Sequence, residues 1–305
     1  RQMCIRDSLL FGLMSFFSTL TMAQNVLNAV SPEQLRKDRE NKTRVDEAGD
    51  TVSTAQDPLK YGFIEDKDVL WSKVVWEVID LNERLNQPYY RSGDELVQNS
   101  KSLYDVLVDG VRSKKIREVY DDEYFQTKMS YEQIMARNEK KDTQQYYYDM
   151  KAAGETPDEA AIFNYKIKSD DIKMVKTKGL WYIDRRLGEL KYRLLGLAIM
   201  GPDAQSLGTE FADGAYVDLF WIWYPDARNV LVNATVFNPS NSNSAITYDE
   251  MLNARRFSSI IYKAQTMYGT KMIDDYIPND AKGQLEEHHK IRNSIIQSEA
   301  DMWNY

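Results

Sequence analysis

The sequence predicts an α+β fold: two related antiparallel-sheet units with packed helices, preceded by a long polar N-terminal arm. Three observations carry this. First, residues 179–238 hold four runs rich in β-branched, aromatic and other apolar residues (181–183, 190–200, 216–224 and 230–237), punctuated by Gly188, Gly201-Pro202, Gly214 and Pro225-Asp226. Such runs broken by turn residues read as successive strands. Second, residues 216–224 are apolar on both alternating faces: Val217, Leu219, Trp221 and Trp223 on one, Tyr216, Phe220, Ile222 and Tyr224 on the other, with Asp218 the one interruption. A strand of this kind must be covered on both sides, by helices, a second sheet or another chain. Third, the order of signals recurs. Trp71 is answered by Trp181, residues 103–108 by 219–224, and Ser130-Tyr131-Glu132-Gln133 by Thr247-Tyr248-Asp249-Glu250. Tandem units give such a pattern; chance likeness between two β-rich halves is the competing explanation.

Taken in order, residues 1–23 read as an export signal. Arg1 and Arg6 precede the apolar run 9–22, and Thr21 and Ala23 supply small residues for cleavage after Ala23. An uncleaved anchor is the rival, but the run is shorter than the roughly 20 residues a bilayer span needs. Cys4, the single cysteine, lies before the apolar run, whereas a lipid-modified cysteine would follow it. The exported chain would then carry no thiol, so its stability must come from packing and not from disulfides. Loss of two arginines and one aspartate moves the net charge from −8 to −9. An acidic chain fits nucleic acid poorly. Hydrophobic content of 43% beside 28% charged residues describes a globular protein with a real core.

Residues 24–58 are polar and charge-rich, without a sustained apolar period, and read as a flexible or partner-ordered arm; a short surface helix at 32–46 is the alternative. The first unit spans 59–137. Within it, 69–81 alternates as a strand, 103–108 and 116–120 read as a hairpin with a longer loop, and Ser130 with Gln133 forms a capping-box signature that opens a short helix. Residues 138–178 form a polar connector with short helices, broken near Gly154 and Pro157. The second, larger unit spans 179–305. After its strands come a loop at 238–244, a helix over 251–268 with Phe257, Ile260, Ile261, Ala264 and Met267 near helical spacing, and a tail helix over 284–305 that Trp303 would anchor.

Signals of chemistry are sparse. His288 and His289 are adjacent, whereas a helical metal pair sits three or four residues apart; Glu286 and His289 have that spacing but nothing completes the set. No glycine-rich phosphate loop, GxSxG or HExxH occurs. The carboxylates Asp80 and Glu83, Asp121-Asp122, Asp170-Asp171 and Asp274-Asp275 read as turns, caps or solvated faces. Asp218 stands inside an apolar strand, so it is either a paired structural acid or a contact to a basic group on a partner. Arg185-Arg186 and Arg255-Arg256 are basic pairs that meet internal acids or acidic patches of neighbouring subunits. The candidate interface residues are therefore Asp218, Trp221, Trp223, Arg185 and Arg186. No catalytic residue, metal ligand or cofactor site is assigned.

Residues 75–90 (VWEVIDLNERLNQPYY), 103–107, 180–202 (LWYIDRRLGELKYRLLGLAIMGP), 219–237 (LFWIWYPDARNVLVNATVF), 248–263 (YDEMLNARRFSSIIYK) and the ending SEADMWNY resemble the gliding-motility family GldN, also called PorN. The likeness runs from about residue 60 to 305. It departs at Leu180, where the family tends to carry an acidic residue. The resemblance implies a non-catalytic periplasmic component of the type IX secretion system of Bacteroidota. Such a protein assembles with an outer-membrane lipoprotein of the GldK or PorK type into a ring at the inner face of the outer membrane and contacts the GldL–GldM motor. It implies no cofactor and no small-molecule substrate. The competing class is a periplasmic carbohydrate- or peptidoglycan-binding protein or hydrolase, using carboxylates and exposed tryptophans such as Trp221 and Trp223.

Overall fold

The computed structural model describes residues 43–45, 51–53, 58–90, 101–143, 162–204, 216–236 and 246–302. The chain divides into two compact units, residues 1–55 and 56–305. In the first, β1 (Thr43–Val45) pairs antiparallel with β2 (Thr51–Ser53), so the helix considered for 32–46 does not extend over its last strand-forming residues. The expected export signal, Cys4, the loop 238–244 and Trp303 lie outside the described residues.

The second unit is built on one eight-stranded antiparallel sheet. Its strands are β3 (Val69–Asp80), β4 (Val119–Tyr120), β5 (Lys128–Met129), β8 (Met174–Asp184), β9 (Glu189–Pro202), β10 (Tyr216–Trp223), β13 (Ile260–Thr266) and β14 (Gly269–Met272), in the order β14-β13-β3-β8-β9-β10-β4-β5. The α+β class and the antiparallel sheet therefore hold, and strands from both expected units share this sheet. β3 lies between β8 and β13, with Val75 opposite Gly179 on one side and Ala264 on the other. The proposed connector holds β6 (Glu139–Thr143) and β7 (Ile162–Lys166), which pair with each other, and its last five residues already belong to β8.

The helices of this unit are α1 (Gln87–Tyr90), α2 (Leu103–Arg112), α3 (Tyr131–Asn138), α4 (Tyr224–Leu231), α5 (Tyr248–Asn253), α6 (Ile273–Tyr276) and α7 (Ala281–Met302); β11 (Thr235–Val236) and β12 (Ile246–Thr247) form a small pair. Three expectations are corrected. Residues 103–108 are helical: Ser102 Oγ accepts the Asp105 N–H, and Leu103, Val106, Leu107, Gly110 and Val111 bury at helical spacing. That also breaks the tandem correspondence, because the matching residues 219–223 are strand. Residues 230–237 do not form a strand as a whole. Pro225 sits in the first turn of α4, where its missing N–H costs nothing, and the helix runs to Leu231 before the two-residue β11. Residues 251–268 are not one helix. α5 stops at Asn253, Arg255 turns the chain at φ 49°, and the β-branched Ile260-Ile261 enter β13.

Both capping boxes form as expected. Ser130 and Gln133 satisfy each other's backbone N–H at α3, and Thr247 and Glu250 do the same at α5. The main core joins the helices to one sheet face through Ile79, Val175, Leu197, Ile199, Phe220 and Ile222, with Leu107, Leu231 and Leu252 from α2, α4 and α5. α6 and α7 extend the cover of that same face over Val75, Ile261 and Ala264, using Ile273, Ile291 and Ile295.

Candidate interaction surface

The opposite sheet face carries no helix among the described elements. From Phe220 onward β10 alternates, but a bulge between Asp218 and Phe220 turns Leu219 into the helix-covered core and Asp218 toward Trp221, the reverse of the faces expected for these two residues. Phe220 and Ile222 enter the helix-covered core, and Trp221 and Trp223 point the other way. There Trp221, Trp76, Tyr120 and Ala198 form a separate cluster, joined by Val74, Phe125 and Tyr262. Its cover is a strap, residues 121–127, linking β4 to β5.

The strap is held by its own chemistry. The Asp122 carboxylate accepts N–H donors from Tyr124 (2.7 Å), Gln126 (3.3 Å) and Thr127 (2.8 Å). Desolvation works against its charge, but these backbone donors win and hold the carboxyl below the usual range. Phe125, at φ 60°, meets Tyr120, Trp221 and Trp223 edge-on at 5.4, 6.3 and 5.0 Å. Its ring lies over Gly196 so closely that a Cβ there would come within 2.4 Å of Phe125 Cζ.

Three lysines hold the rest. Lys178 Nζ donates to the Glu123 carbonyl (2.9 Å) and lies 5.2 Å from the Trp76 ring centre; burial lowers its pKa. Lys263, on β13, bonds the Glu123 carboxylate and lies 5.1 Å from the same ring; desolvation opposes its charge, but the Glu123 hydrogen bond raises its pKa. Lys176 pairs with Asp218 at 2.8 Å and lies over the Tyr262 ring at 5.3 Å. Ammonium groups over aromatic faces are favourable and tolerant of small shifts. Around this lattice Trp223, Tyr124 and Ile260 remain 37, 53 and 46% exposed.

Of the sequence-predicted interface residues, the structure gathers Asp218, Trp221 and Trp223 here. Asp218 is paired within the chain, accepting Trp221 Nε1–H (3.2 Å) besides Lys176. Trp221 is 1% exposed under Phe125, and Trp223 keeps an open flank. Arg185 and Arg186 lie elsewhere, in the β8–β9 turn. Arg186 reaches Asp184, Asp68 and the Phe63 carbonyl, while Arg185 is exposed. Sequence reasoning missed Phe125, Glu123, Lys178 and Lys263, which come from elements far apart in the chain. Asp122, between the two-residue strands Val119–Tyr120 and Lys128–Met129, was the legible trace of a self-bonded turn.

The helix-covered face holds a different kind of cluster. Arg255 grips Glu77 with two hydrogen bonds of 2.9 and 3.0 Å, stacked on Tyr192 at 4.1 Å. Beside it a cavity of about 320 Å³ is lined by Glu77, Trp181, Arg255, His288 and Arg292. His288 Nδ1 accepts the Ile261 N–H (2.8 Å), and burial lowers its pKa. Among the described residues Glu77 is the only carboxylate on that lining, and it is already engaged by Arg255. Of the other acids suggested by sequence, Asp80, Asp171 and Asp275 accept the backbone N–H groups of Asn82, Lys168 and Met272, and Asp121 pairs with Arg137 at 2.6 Å. No group of three or more metal-ligating side chains occurs among the described residues.

A sheet covered by helices on one face and by a short strap over an aromatic–lysine lattice on the other defines the class: an α+β domain built on one eight-stranded antiparallel sheet. The chain belongs to the family described as gliding motility associated protein GldN, whose family model matches residues 64–304. A search of curated proteins returned no match.

Proposed function

We propose that the chain is a non-catalytic subunit of the gliding-motility and type IX secretion machinery that works by docking to other proteins. Family membership ties it to gliding motility, and the observation that carries the rest is the helix-free sheet face, where Trp223, Tyr124 and Ile260 surround an ordered lattice. In this reading the exported chain works in the periplasm. It docks to an outer-membrane lipoprotein of the GldK or PorK type, repeats in a ring beneath that membrane, and contacts GldL–GldM motor components. A tagged chain extracted from native membranes should then co-purify with a lipoprotein in a high-mass particle. A clean monomer without partner would overturn the proposal. The saccharide-binding alternative loses ground at Trp221, whose ring lies under Phe125 and offers no face to a sugar.

A further inference from the structure

A second cavity, of about 310 Å³, opens where the β8–β9 turn meets the segment 60–64. Its wall includes Lys60, Tyr61, Tyr182, Arg186, Lys191 and Arg193, against one acidic group, Asp184. These cations are not equivalent. Arg186 is neutralised by Asp184 and Asp68, and Lys191 lies 3.6 Å from the exposed Glu189. Arg193 has no carboxylate partner among the described residues, nor has Lys60.

Arg193 is nonetheless held in place. Its guanidinium lies 4.8 Å from the Tyr61 ring centre and 5.6 Å from that of Tyr182, and one terminal N–H donates to the Gly62 carbonyl at 3.1 Å. Its Nε is buried without an acceptor. A buried donor left without an acceptor is destabilising. A fork fixed by two rings also loses little freedom when an oxyanion arrives. Leu187 on the wall, with Leu59 and Phe63 along the same segment, is exposed, at 55, 81 and 78% respectively. The site thus joins a recessed, fixed guanidinium to a lysine with no carboxylate partner among the described residues and to nearby apolar surface.

We propose that this cavity docks an acidic peptide segment of a partner protein, with one Asp or Glu carboxylate on Arg193 and Lys60 and an adjacent apolar side chain against Leu187. Recessed geometry favours an inserted side chain over a flat anionic bilayer. In a chain of net charge −8, two cations that meet no carboxylate among the described residues and share one recess suit an acidic partner. This deepens the protein-docking reading and places a contact outside the open sheet face.

The test uses the purified full chain and a fluorescein-labelled peptide, Glu-Phe-Asp-Leu-Glu, followed by fluorescence anisotropy. Its carboxamide counterpart, Gln-Phe-Asn-Leu-Gln, should bind at least about tenfold more weakly, the size of a lost charge-assisted hydrogen bond. Arg193→Gln should weaken the acidic peptide by a similar factor. Lys60→Gln, at an exposed position, should weaken it by a smaller one. No binding, equal binding of both peptides, or binding indifferent to both substitutions would overturn the proposal. So would sedimentation with phosphatidylglycerol vesicles that depends on Arg193. A failed peptide beside an intact native particle removes this pocket alone; peptide binding without any particle removes the assembly reading instead.

Discussion

The two faces of the sheet keep charge in different ways. On the helix-covered face the ion pairs are arginine forks: Arg255 on Glu77, and Arg228 on Asp249 at 2.8 and 2.9 Å, with Tyr224 donating to the same Asp249 at 2.7 Å. Each fork fixes direction as well as distance, and each locks a helix-side residue to its neighbour. On the strap-covered face the cations are lysines over rings, with one-point contacts to Glu123 and Asp218. A ring attracts an ammonium across a broad range of positions, so these contacts survive rearrangement. The first chemistry specifies one packing; the second leaves a surface that a partner can re-cover.

The sharpest way to break that contrast is to remove a carboxylate from a fork. Asp249→Ala leaves Arg228, 7% exposed, buried without its counter-charge. The expected loss is about 3–5 kcal/mol, read as a lowered urea midpoint at unchanged slope. A loss below about 1 kcal/mol, the size of an exposed pair, would show that the forks do not distinguish the two faces.

What was legible beforehand follows the same divide. Alternation along β3 and the second half of β10, both capping boxes and the tail helix are local patterns, and sequence reasoning found them; the bulge that turns Leu219 to the other face was not among them. α2 was also written locally, in Ser102 and the spacing of Leu103, Val106, Leu107 and Val111. Its valine and leucine content was instead read as strand propensity, and the helical period outweighs that. The turn at Arg255 carried no such mark, because a non-glycine residue at positive φ leaves no compositional signal. Arg255 and Glu77 stand 178 positions apart, so nothing near either residue announces the other. The strap over Gly196 is similar: the glycine was visible, but the ring that requires it is 71 residues upstream at Phe125.

That glycine offers a test confined to the strap face. Gly196→Ala places a methyl against Phe125 and must push the strap outward, at a cost of about 1–3 kcal/mol. The helices should keep their far-ultraviolet dichroism, while acrylamide quenching of tryptophan rises as Trp221 is uncovered. If helical signal falls instead, the strap is coupled to the helix-covered core and the two faces are not separable.

The smallest effect on stability should fall where the effect on assembly is largest. Trp223 touches Phe125 but keeps 37% of its surface in water, and Tyr124 keeps 53%. Replacing either by alanine removes only part of a large side chain's burial, so each should cost about 1–2 kcal/mol in urea unfolding, below the loss for Asp249→Ala. If the proposed docking holds, the double variant Trp223→Ala, Tyr124→Ala should nevertheless lose the lipoprotein proposed as its partner, because aromatic anchors carry most of an interface's energy. Folded variants that still assemble would move the docking surface off this face. A stability loss comparable to that of Asp249→Ala would mean that these rings belong to the chain's own core, and that the strap already completes the sheet without a partner.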